Sequence, residues 1–395
     1  MEDILIKIKN IKPIDNQVLE NLGFQWHTDS DGSSYIADEI VEISEGESEN
    51  YYKAVNEIYN MFITAGDYIV ENNLFHDIGI PFNLVAIIKD SWENDPHWHL
   101  YGRFDLAGGI DDQPIKLIEF NADTPTGLFE TSVIQWALLN HNNLEDRQFN
   151  NVYQAISDNF KRLITLDSDI SSFKEKYSGL KILFSSYKGN LEEEQTVRLL
   201  QKMADDSGFI TDFEYLDFVK FSEDGVFNSK DEQFEYWFKL YPWEDIGFAE
   251  TDLAVLLQKI QLDRRAIFLN PAYTLLFQSK GIMKILYDLF PDSQYLLETS
   301  FEPLENKKYI EKKMFGREGA NTKIFDEVGN IIEEIGGEYE NYKSIFQEYI
   351  EFPKDKNGDK YQAGVFFAFE GCGLAFRKGG NILNNMSKFV GHIIK

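Results

Sequence analysis

The sequence predicts a mixed α/β (α+β) protein in which different parts of the chain supply antiparallel and parallel sheets. Residues 101–121 contain two alternating apolar–polar runs on either side of GGIDDQP, a pattern typical of a β-hairpin. Residues 176–272 alternate short apolar runs with helical segments, which favours a parallel sheet. From Gln278 onward, strand-like runs are separated by glycine-containing turns, which indicates antiparallel β structure.

The chain is long, acidic and poor in cysteine. Its 395 residues are 43% hydrophobic, which is enough for a substantial core. A net charge of −29 argues against nucleic acid or an anionic membrane as a partner and suits a cationic ligand such as a polyamine, although an acidic surface alone also explains it. The single Cys372 cannot form an internal disulfide, and neither a signal-peptide core nor a run of about 18 apolar residues is present. We therefore expect a cytoplasmic protein without a membrane span.

The N-terminal part predicts two helices and contains one possible zinc pair. A strand at Ile4, Ile6 and Ile8 precedes a helix over 15–22, an acidic stretch ending at SEGESEN, and a long amphipathic helix over 51–73. The HWH run, His97 to His99, has a spacing that zinc can use. No further His or Cys cluster accompanies HWH, so the favoured interpretation is that these histidines lie in the core or form hydrogen bonds. A metal hydrolase that binds zinc through HWH is a further hypothesis.

The predicted hairpin gathers residues suited to a hard metal ion. Alternation places Arg103 and Asp105 on one face of the first strand, and Glu119 and Asn121 on one face of the second. If the strands pair, two carboxylates, an amide oxygen and a guanidinium share one surface. Such a set suits Mg²⁺ carrying phosphate, although an exposed hairpin with a charged face is the alternative.

Two helix starts follow the hairpin. Thr124 and Thr126 precede an apolar helical run, so either can cap a helix, and a helix start beside a metal strand is a natural anion site. The helix after GNL carries glutamates in its first turn, where the helix dipole favours them. Of these, Glu193 and Glu194 are candidates to hold the cationic tail of an amine.

The last third of the chain supplies cations and a glycine loop. GREGAN, residues 316–321, has glycines that let backbone N–H groups approach an anion, although most such loops are simple turns. The basic candidates in this part are Lys280 at a helix start, Lys312 on a strand, Arg317 in the loop and Arg377 on a late hairpin with its turn at EGCG. ATP with magnesium needs such cations in addition to the carboxylates of the first hairpin.

Four motifs in order, RFD, IEFNADTP, KKMFGREGAN and FRKGGNILNNMSKFVGHII, resemble the synthetase domain of glutathionylspermidine synthase and its stand-alone relatives, which are ATP-grasp carboxylate–amine ligases. The resemblance covers about residues 50–395. It implies a circularly permuted ATP-grasp fold with an inserted pre-ATP-grasp, Rossmann-like parallel-sheet domain. The implied division is 1–175 for the metal-binding part, 176–275 for the inserted domain, and 276–395 for the lid and nucleotide-binding part.

The resemblance also implies roles for single residues. Asp105, Glu119 and Asn121 would hold magnesium, with two ions expected, and Arg103, Arg317 and Arg377 would act on the transferring phosphate. The remaining implied contacts are ATP on Lys280, Lys312 and Gln347, and substrate on Thr124, Thr126 and, in LYPWED, Glu244. Lys313 stands where the family commonly has proline. No amidase domain is expected in this chain.

The sequence thus predicts an ATP-dependent ligase that joins a peptide or amino-acid carboxylate to a polyamine or another primary amine through an acyl phosphate. Its expected partners are small molecules, with no nucleic acid and no membrane, and its expected state is a monomer or homodimer. The alternative is a nucleotide- or polyamine-binding regulator without ligase activity.

Overall fold

A computed structural model describes residues 6–94, 98–165, 170–177 and 179–395. In this part of the chain the strands, in order, are β1 Ile8–Asn10, β2 Ile36–Ile43, β3 Gly102–Ala107, β4 Lys116–Asn121, β5 Lys181–Ser186, β6 Ile210–Tyr215, β7 Lys220–Ser222, β8 Gly225–Phe227, β9 Gln233–Phe234, β10 Tyr236–Lys239, β11 Ile267–Leu269, β12 Thr299–Ser300, β13 Tyr309–Lys313, β14 Thr322–Phe325, β15 Ile331–Ile335, β16 Ser344–Glu348, β17 Lys360–Ala368, β18 Glu370–Gly379 and β19 Lys388–Ile394. The α-helices are α1 Asn16–Asn21, α2 Glu45–Asn72, α3 Val85–Glu93, α4 Gln135–His141, α5 Val152–Thr165, α6 Phe173–Lys176, α7 Leu191–Ser207, α8 Trp243–Ala249, α9 Thr251–Leu262, α10 Thr274–Gln278 and α11 Ile282–Leu289. A π-helical turn, Glu130–Ile134, leads into α4.

The largest sheet joins the two ends of the chain. Its seven described strands run in the order β1-β2-β19-β18-β17-β3-β4, so the late hairpin β17–β18 lies directly beside the early hairpin β3–β4. In this register Asp105 faces Glu119 on one side and Gly364 on the other. Hydrogen bonding between the two hairpins therefore places Arg377 of β18 two strands away from Arg103 of β3.

The middle of the chain forms the predicted parallel sheet. Its four described strands are ordered β11-β10-β5-β6, and every pair is parallel. Strands β5, β10 and β11 are short and mostly apolar, whereas the edge strand β6 carries polar residues. Helices α7 and α9 connect the strands in sequence, as the alternation of residues 176–272 predicted. The antiparallel prediction for the last third is also confirmed, since β12 to β16 form a five-stranded antiparallel sheet.

The long helix α2 covers the large sheet and begins earlier than the sequence predicted. Ser44 caps it and accepts from the backbone N–H of Glu47, while the Glu47 carboxylate accepts from the backbone N–H of Ser44, so a capping box starts the helix inside SEGESEN. Its buried face includes Tyr51, Val55 and Phe62. Beneath it, the rings of Phe104 and Phe120 stack with centroids 3.8 Å apart, which fixes the early hairpin against the core.

The predicted turn at EGCG is wrong. The chain reverses at Phe369, which has a left-handed φ of 70°, and EGCG lies inside strand β18. Gly371 and Gly373 instead permit close packing, because a Cβ would lie 2.7 Å from Val55 Cγ2 at the first position and 2.2 Å from Val152 Cγ2 at the second. Among the described residues, no helix is long and apolar enough to cross a membrane. Ile4 of the first predicted strand and His97 of HWH lie outside the described residues.

Candidate active site

The early hairpin brings its four candidate side chains together. Arg103 donates from Nε to Asp105 Oδ1 at 2.7 Å and from Nη2 to Oδ2 at 2.9 Å, a bidentate ion pair. Its Nη1 donates to the backbone carbonyl of Thr126 at 2.6 Å. The amide of Asn121 donates to Asp105 Oδ2 at 3.1 Å and to Glu119 Oε1 at 3.3 Å. The strand register therefore brings the side-chain oxygens of Asp105 and Glu119 and the amide of Asn121 into one cluster beside the Arg103 guanidinium, and we call this set the oxygen cluster.

Two buried lysines from the last third of the chain face this cluster. Lys280 Nζ lies 3.0 Å from Glu119 Oε2 and donates to the Gly316 carbonyl at 2.6 Å. Lys312 donates to Gln347 Oε1 at 2.9 Å and to the Ile118 carbonyl at 3.4 Å. Burial alone would raise the pKa of Glu119, but Lys280 and Lys312 lower it to about 2. Burial lowers the pKa of Lys312 to about 8, so a bound anion would stabilise the charged form of this lysine.

The glycine loop, residues 316–321, places Arg317 beside Thr124 and Glu244. Glu318 and Gly319 are left-handed, with φ of 53° and 68°, and a Cβ on Gly319 would lie 2.5 Å from the Leu383 carbonyl oxygen. Glycine is therefore required where the loop packs against residues 382–383. Arg317 donates from Nε to Glu244 Oε1 at 3.2 Å and from Nη1 to Thr124 Oγ1 at 3.0 Å.

Arg377 faces the cluster from the late hairpin. Its Nη1 donates to the Tyr35 hydroxyl at 2.9 Å and its Nη2 to the Asn384 carbonyl at 3.3 Å. The buried Nε of Arg377 has no hydrogen-bond partner among the described residues. Arg377 lines one cavity together with Arg103 and Asp105.

Two cavities meet at this place. Both include space that is open to solvent. The first is about 720 Å³, and its lining combines apolar side chains with Lys280, Lys312 and Gln347. The second has about 920 Å³ and is lined mainly by polar groups, among them Arg103, Asp105, Asn121, Thr124, Thr126, Glu192, Arg317 and Arg377. Both are lined by Glu119, Glu318, Gly319 and Leu383, so one cleft runs from an apolar chamber to a charged one.

The glutamates at the start of α7 have different surroundings. Glu192 lines the second cavity, and burial together with the nearby Glu130 raises its pKa to about 8. Burial raises the pKa of Glu193 to about 7, and its Oε2 has no partner in the described part of the chain. Glu194 instead accepts from the Tyr215 hydroxyl at 2.9 Å and lies 3.5 Å from Arg198, so it is occupied elsewhere.

Several polar residues of the site were missed by sequence reasoning. Glu192 stands in the same helical turn as Glu194 but about 200° away around the axis, and only the phase of the helix decides which one faces the cavity. Glu130 is buried and accepts from Trp26 Nε1 at 2.9 Å. Asp123 and Lys239 form a fully buried ion pair, with Lys239 Nζ 3.3 Å from Asp123 Oδ1. These contacts join residues far apart in sequence, so no local pattern signals them.

The chemistry of the hairpin cluster fits a hard cation. Asp105 and Glu119 offer carboxylate oxygens with spare lone pairs. Asn121 directs its Nδ2 at both carboxylates, so its amide would turn over to offer the oxygen to a metal ion. Among the described residues, no group of three or more His, Cys, Asp or Glu side chains is placed to hold a metal ion, and the hairpin cluster has two carboxylates together with an asparagine. His99 does not support zinc, because it is buried and both ring nitrogens are in hydrogen bonds, with Nε2 3.0 Å from the Ala122 carbonyl and Nδ1 3.3 Å from the Tyr59 hydroxyl.

The fold places the chain in a class already known from solved structures. It is similar to a glutathione synthetase-like effector from Globodera pallida, with a TM-score of 0.55 at 10% identity, over 98% of this chain and 100% of that chain. At this identity the likeness concerns the fold alone. The sequence profile described as glutathionylspermidine synthase pre-ATP-grasp matches residues 6–395. The chain therefore belongs to the glutathionylspermidine synthase family.

Three relatives of this chain have names that fit this family. A Haemophilus influenzae protein named as a candidate acid–amine ligase is 28% identical, with 95% of each chain covered. The bifunctional glutathionylspermidine synthetase/amidase of Escherichia coli is 23% identical over 79% of this chain and 52% of its own length. Trypanothione synthetase of Crithidia fasciculata is 23% identical over 82% of this chain and 54% of its own length. The chain thus spans about half the length of the latter two.

Proposed function

We propose that the protein is an ATP-dependent ligase that joins a carboxylate to a primary amine through an acyl phosphate. The observation that carries this proposal is the continuous cleft in which Glu119 lines both cavities, with Lys312 in the first and Asp105 and Arg377 in the second. A partly apolar chamber beside a cluster of cations and carboxylates suits a nucleotide whose phosphates lie among the charges that phosphoryl transfer requires.

Nucleotide binding is assigned to the first cavity. Lys280 and Lys312 converge on Glu119, and they would exchange part of that contact for the phosphates of ATP. Gln347 is buried, and its Nε2 has no partner among the described residues, which leaves a donor free for the adenine ring. Arg317 would cover the phosphates from the loop.

Asp105, Glu119 and Asn121 are the residues that would hold Mg²⁺, with two ions expected. When bound, the metal neutralises phosphate charge and orients the transferring group. Arg103 fixes the orientation of the Asp105 carboxylate through its two hydrogen bonds, and Arg317 and Arg377 stabilise charge that grows on the phosphoryl oxygens.

Bond making then proceeds in two steps. A carboxylate oxygen of the acid attacks the γ-phosphorus of ATP, ADP leaves, and an acyl phosphate forms. The amine nitrogen next attacks the acyl carbon and loses a proton to a base, and phosphate leaves with one oxygen of the original carboxylate. The loop over residues 316–320 excludes water, which would otherwise hydrolyse the acyl phosphate.

Substrate contacts are proposed on the second cavity. Thr124 and Thr126 lie on its wall and suit the acid substrate. Glu244 is engaged by Arg317, which leaves only its buried Oε2 for a substrate group. Glu192 and Glu193 suit the ammonium of a polyamine, whereas the contacts of Glu194 with Tyr215 and Arg198 argue against a direct role for it. The names of the relatives favour a peptide or amino-acid carboxylate as the acid and a polyamine as the amine.

The finer description of the fold is part of the same proposal. In a circularly permuted ATP-grasp enzyme the metal strands precede the nucleotide lid, and here β3 and β4 precede the five-stranded sheet that carries Lys312. Residues 176–275 would be the inserted domain, between a metal-binding part at 1–175 and a nucleotide-binding part at 276–395. Strands β17 to β19 return to the sheet of the early hairpin, so the last part would contribute to both halves of the cleft.

The proposal is tested by ADP release in the presence of ATP and a panel of acids, including amino acids and glutathione, with and without spermidine and other amines. We expect ADP release to depend on both an acid and an amine, and to fall at least about a hundredfold in Asp105→Asn with folding intact. Tight ATP binding without ADP formation over the whole panel would reject the ligase and favour the regulator.

A further inference from the structure

We propose that Glu244, mounted on the Asp123–Lys239 ion pair, is a positioning residue that holds Arg317 over the reaction centre and keeps the loop over residues 316–320 closed against water. This inference rests on the proposed ligase function. We call the set Asp123, Lys239, Trp243, Glu244 and Arg317 the Arg317 latch.

The first half of the latch is the contact between Glu244 and the loop. Glu244 is 2% exposed, and its Oε1 accepts from both Nε and Nη2 of Arg317. The third nitrogen of the guanidinium, Nη1, donates to Thr124 Oγ1. All three nitrogens of Arg317 are therefore held by residues outside the loop, on the side that lines the second cavity.

The second half fixes the chain segment that carries Glu244. Asp123 Oδ2 accepts from the backbone N–H of Trp243 at 2.8 Å, one residue before Glu244. Asp123 Oδ1 faces Lys239, whose Nζ also donates to the Tyr241 carbonyl at 2.6 Å and lies 4.3 Å from the Trp243 ring. Both charges of this pair are fully buried. The peptide segment between Lys239 and Glu244 is thus attached at several points to Asp123.

The latch closes a ring through three distant parts of the chain. Asp123 and Thr124 follow strand β4. Lys239 ends strand β10 of the parallel sheet, and Glu244 lies in the first turn of α8. Arg317 belongs to the glycine loop. A buried ion pair adds little stability compared with apolar residues of the same volume, so its use here points to geometry. Because Arg317 touches the first part through Thr124 and the second through Glu244, a shift of either part moves the arginine.

The test separates positioning from folding by two measurements on Glu244→Gln, which keeps the size of the side chain and removes its charge. The first is the amount of ADP released per amide formed. We expect a ratio near one in the natural protein and a rise of about threefold or more in the variant, because an open loop admits water to the acyl phosphate. The second is hydrogen exchange of the backbone amides of residues 316–320, which we expect to become roughly tenfold faster.

Matched variants complete the test. Lys161→Met removes an ion pair with Asp158 on α5, at 2.8 Å, and is expected to change neither measurement. Glu244→Asp retains the charge and is expected to lie between the natural protein and Glu244→Gln. The pair Asp123→Asn with Lys239→Met is expected to reproduce Glu244→Gln. A folded Glu244→Gln protein with an unchanged ADP-to-amide ratio and unchanged exchange would overturn the latch. Should the natural protein form no amide, the ligase proposal fails, and faster or unchanged exchange in Glu244→Gln still decides whether the latch exists.

Discussion

Replacing Glu119 with glutamine removes the charge that two buried lysines share. Lys280 and Lys312 are 7% and 8% exposed, and both act on the Glu119 carboxylate. Without that carboxylate the two ammonium groups face each other in a poorly hydrated place. We expect Glu119→Gln to be clearly less stable than the natural protein at neutral pH, although the amide keeps nearly the same shape.

The magnitude follows from the pKa. Lowering the pKa of Glu119 from 4.5 to about 2 corresponds to roughly 3 kcal/mol of stability in the ionised state. The Glu119 side chain is 25% exposed, so solvent screens this contribution only in part. Because the pKa is lower in the folded state, the contribution is complete above about pH 4.5 and is lost as the pH falls toward 2.

The assay is urea unfolding of the natural protein and of Glu119→Gln between pH 7 and about pH 3.5. We expect a difference near 3 kcal/mol at pH 7 that shrinks below about pH 4.5. Glu49→Gln, which removes an exposed pair with Lys53 at 3.2 Å, is the control and should cost less than about 1 kcal/mol. A Glu119→Gln difference below about 1 kcal/mol, or one that does not change with pH, would refute the assignment of this carboxylate as the counterion of both lysines.

Three further predictions concern the nucleotide, the loop and the late hairpin. Burial lowers the pKa of Lys312 to about 8, and a bound phosphate favours its charged form, so ATP affinity should fall as the pH rises through about 8. Direct titration of ATP binding should show this fall in the natural protein and not in Lys312→Arg. The same pH dependence in Lys312→Arg would exclude Lys312 as a phosphate contact. Gly319→Ala should lower the rate of amide formation about tenfold or more, since its Cβ would lie 2.5 Å from the Leu383 carbonyl oxygen. Gly329→Ala is the control for backbone strain alone, because Gly329 also has a left-handed backbone but has open space around it. Equal rates in the two variants would contradict a packing role for Gly319. Gly373→Ala should reduce the free energy of unfolding by about 1–3 kcal/mol in urea titrations, because its Cβ would lie 2.2 Å from Val152 Cγ2, and a neutral effect would show that β18 and α5 can separate without cost.

The local patterns of the sequence carried much of the fold. Alternation around GGIDDQP predicted the early hairpin and the shared face of Asp105 and Glu119, but it did not indicate the register shift between Asp105 and Leu106. Alternating strands and helices predicted the parallel sheet, and short runs between glycines predicted the antiparallel sheet of the last third. The sequence did not indicate that β19 pairs in parallel with β2, because that contact joins residues more than 300 positions apart through backbone atoms only.

The errors have physical causes that local patterns do not contain. EGCG has the composition of a turn, yet its glycines lie within a strand and leave room for side chains of the helices that pack on the sheet. The chain instead turns at Phe369. The stretch SEGESEN has polar residues typical of a loop, but its serine and glutamate form a capping box and start a helix.

For the site, residue type indicated the side chains that the fold brings together in the oxygen cluster and the two lysines opposite them. Helix phase decided which glutamate of α7 lines the cavity. Glu192 lines the cavity and Glu194 does not, because residues two positions apart on a helix lie about 200° apart around its axis. Asp123 and Lys239 are recognisable as partners only after the fold brings them together, since a buried charge has no signature of its own in the sequence.

The most direct test of the proposed chemistry follows the oxygen atoms of the acid. The protein is incubated with ATP, Mg²⁺, spermidine and a mixture of amino acids and glutathione whose carboxylates carry a heavy oxygen isotope, and the products are examined by mass spectrometry. Phosphate bearing one heavy oxygen for each condensation product (acid plus amine minus water), absent in Asp105→Asn, is the predicted result. Phosphate without the label, or ADP formed with no condensation product, would contradict an acyl phosphate formed in this cleft.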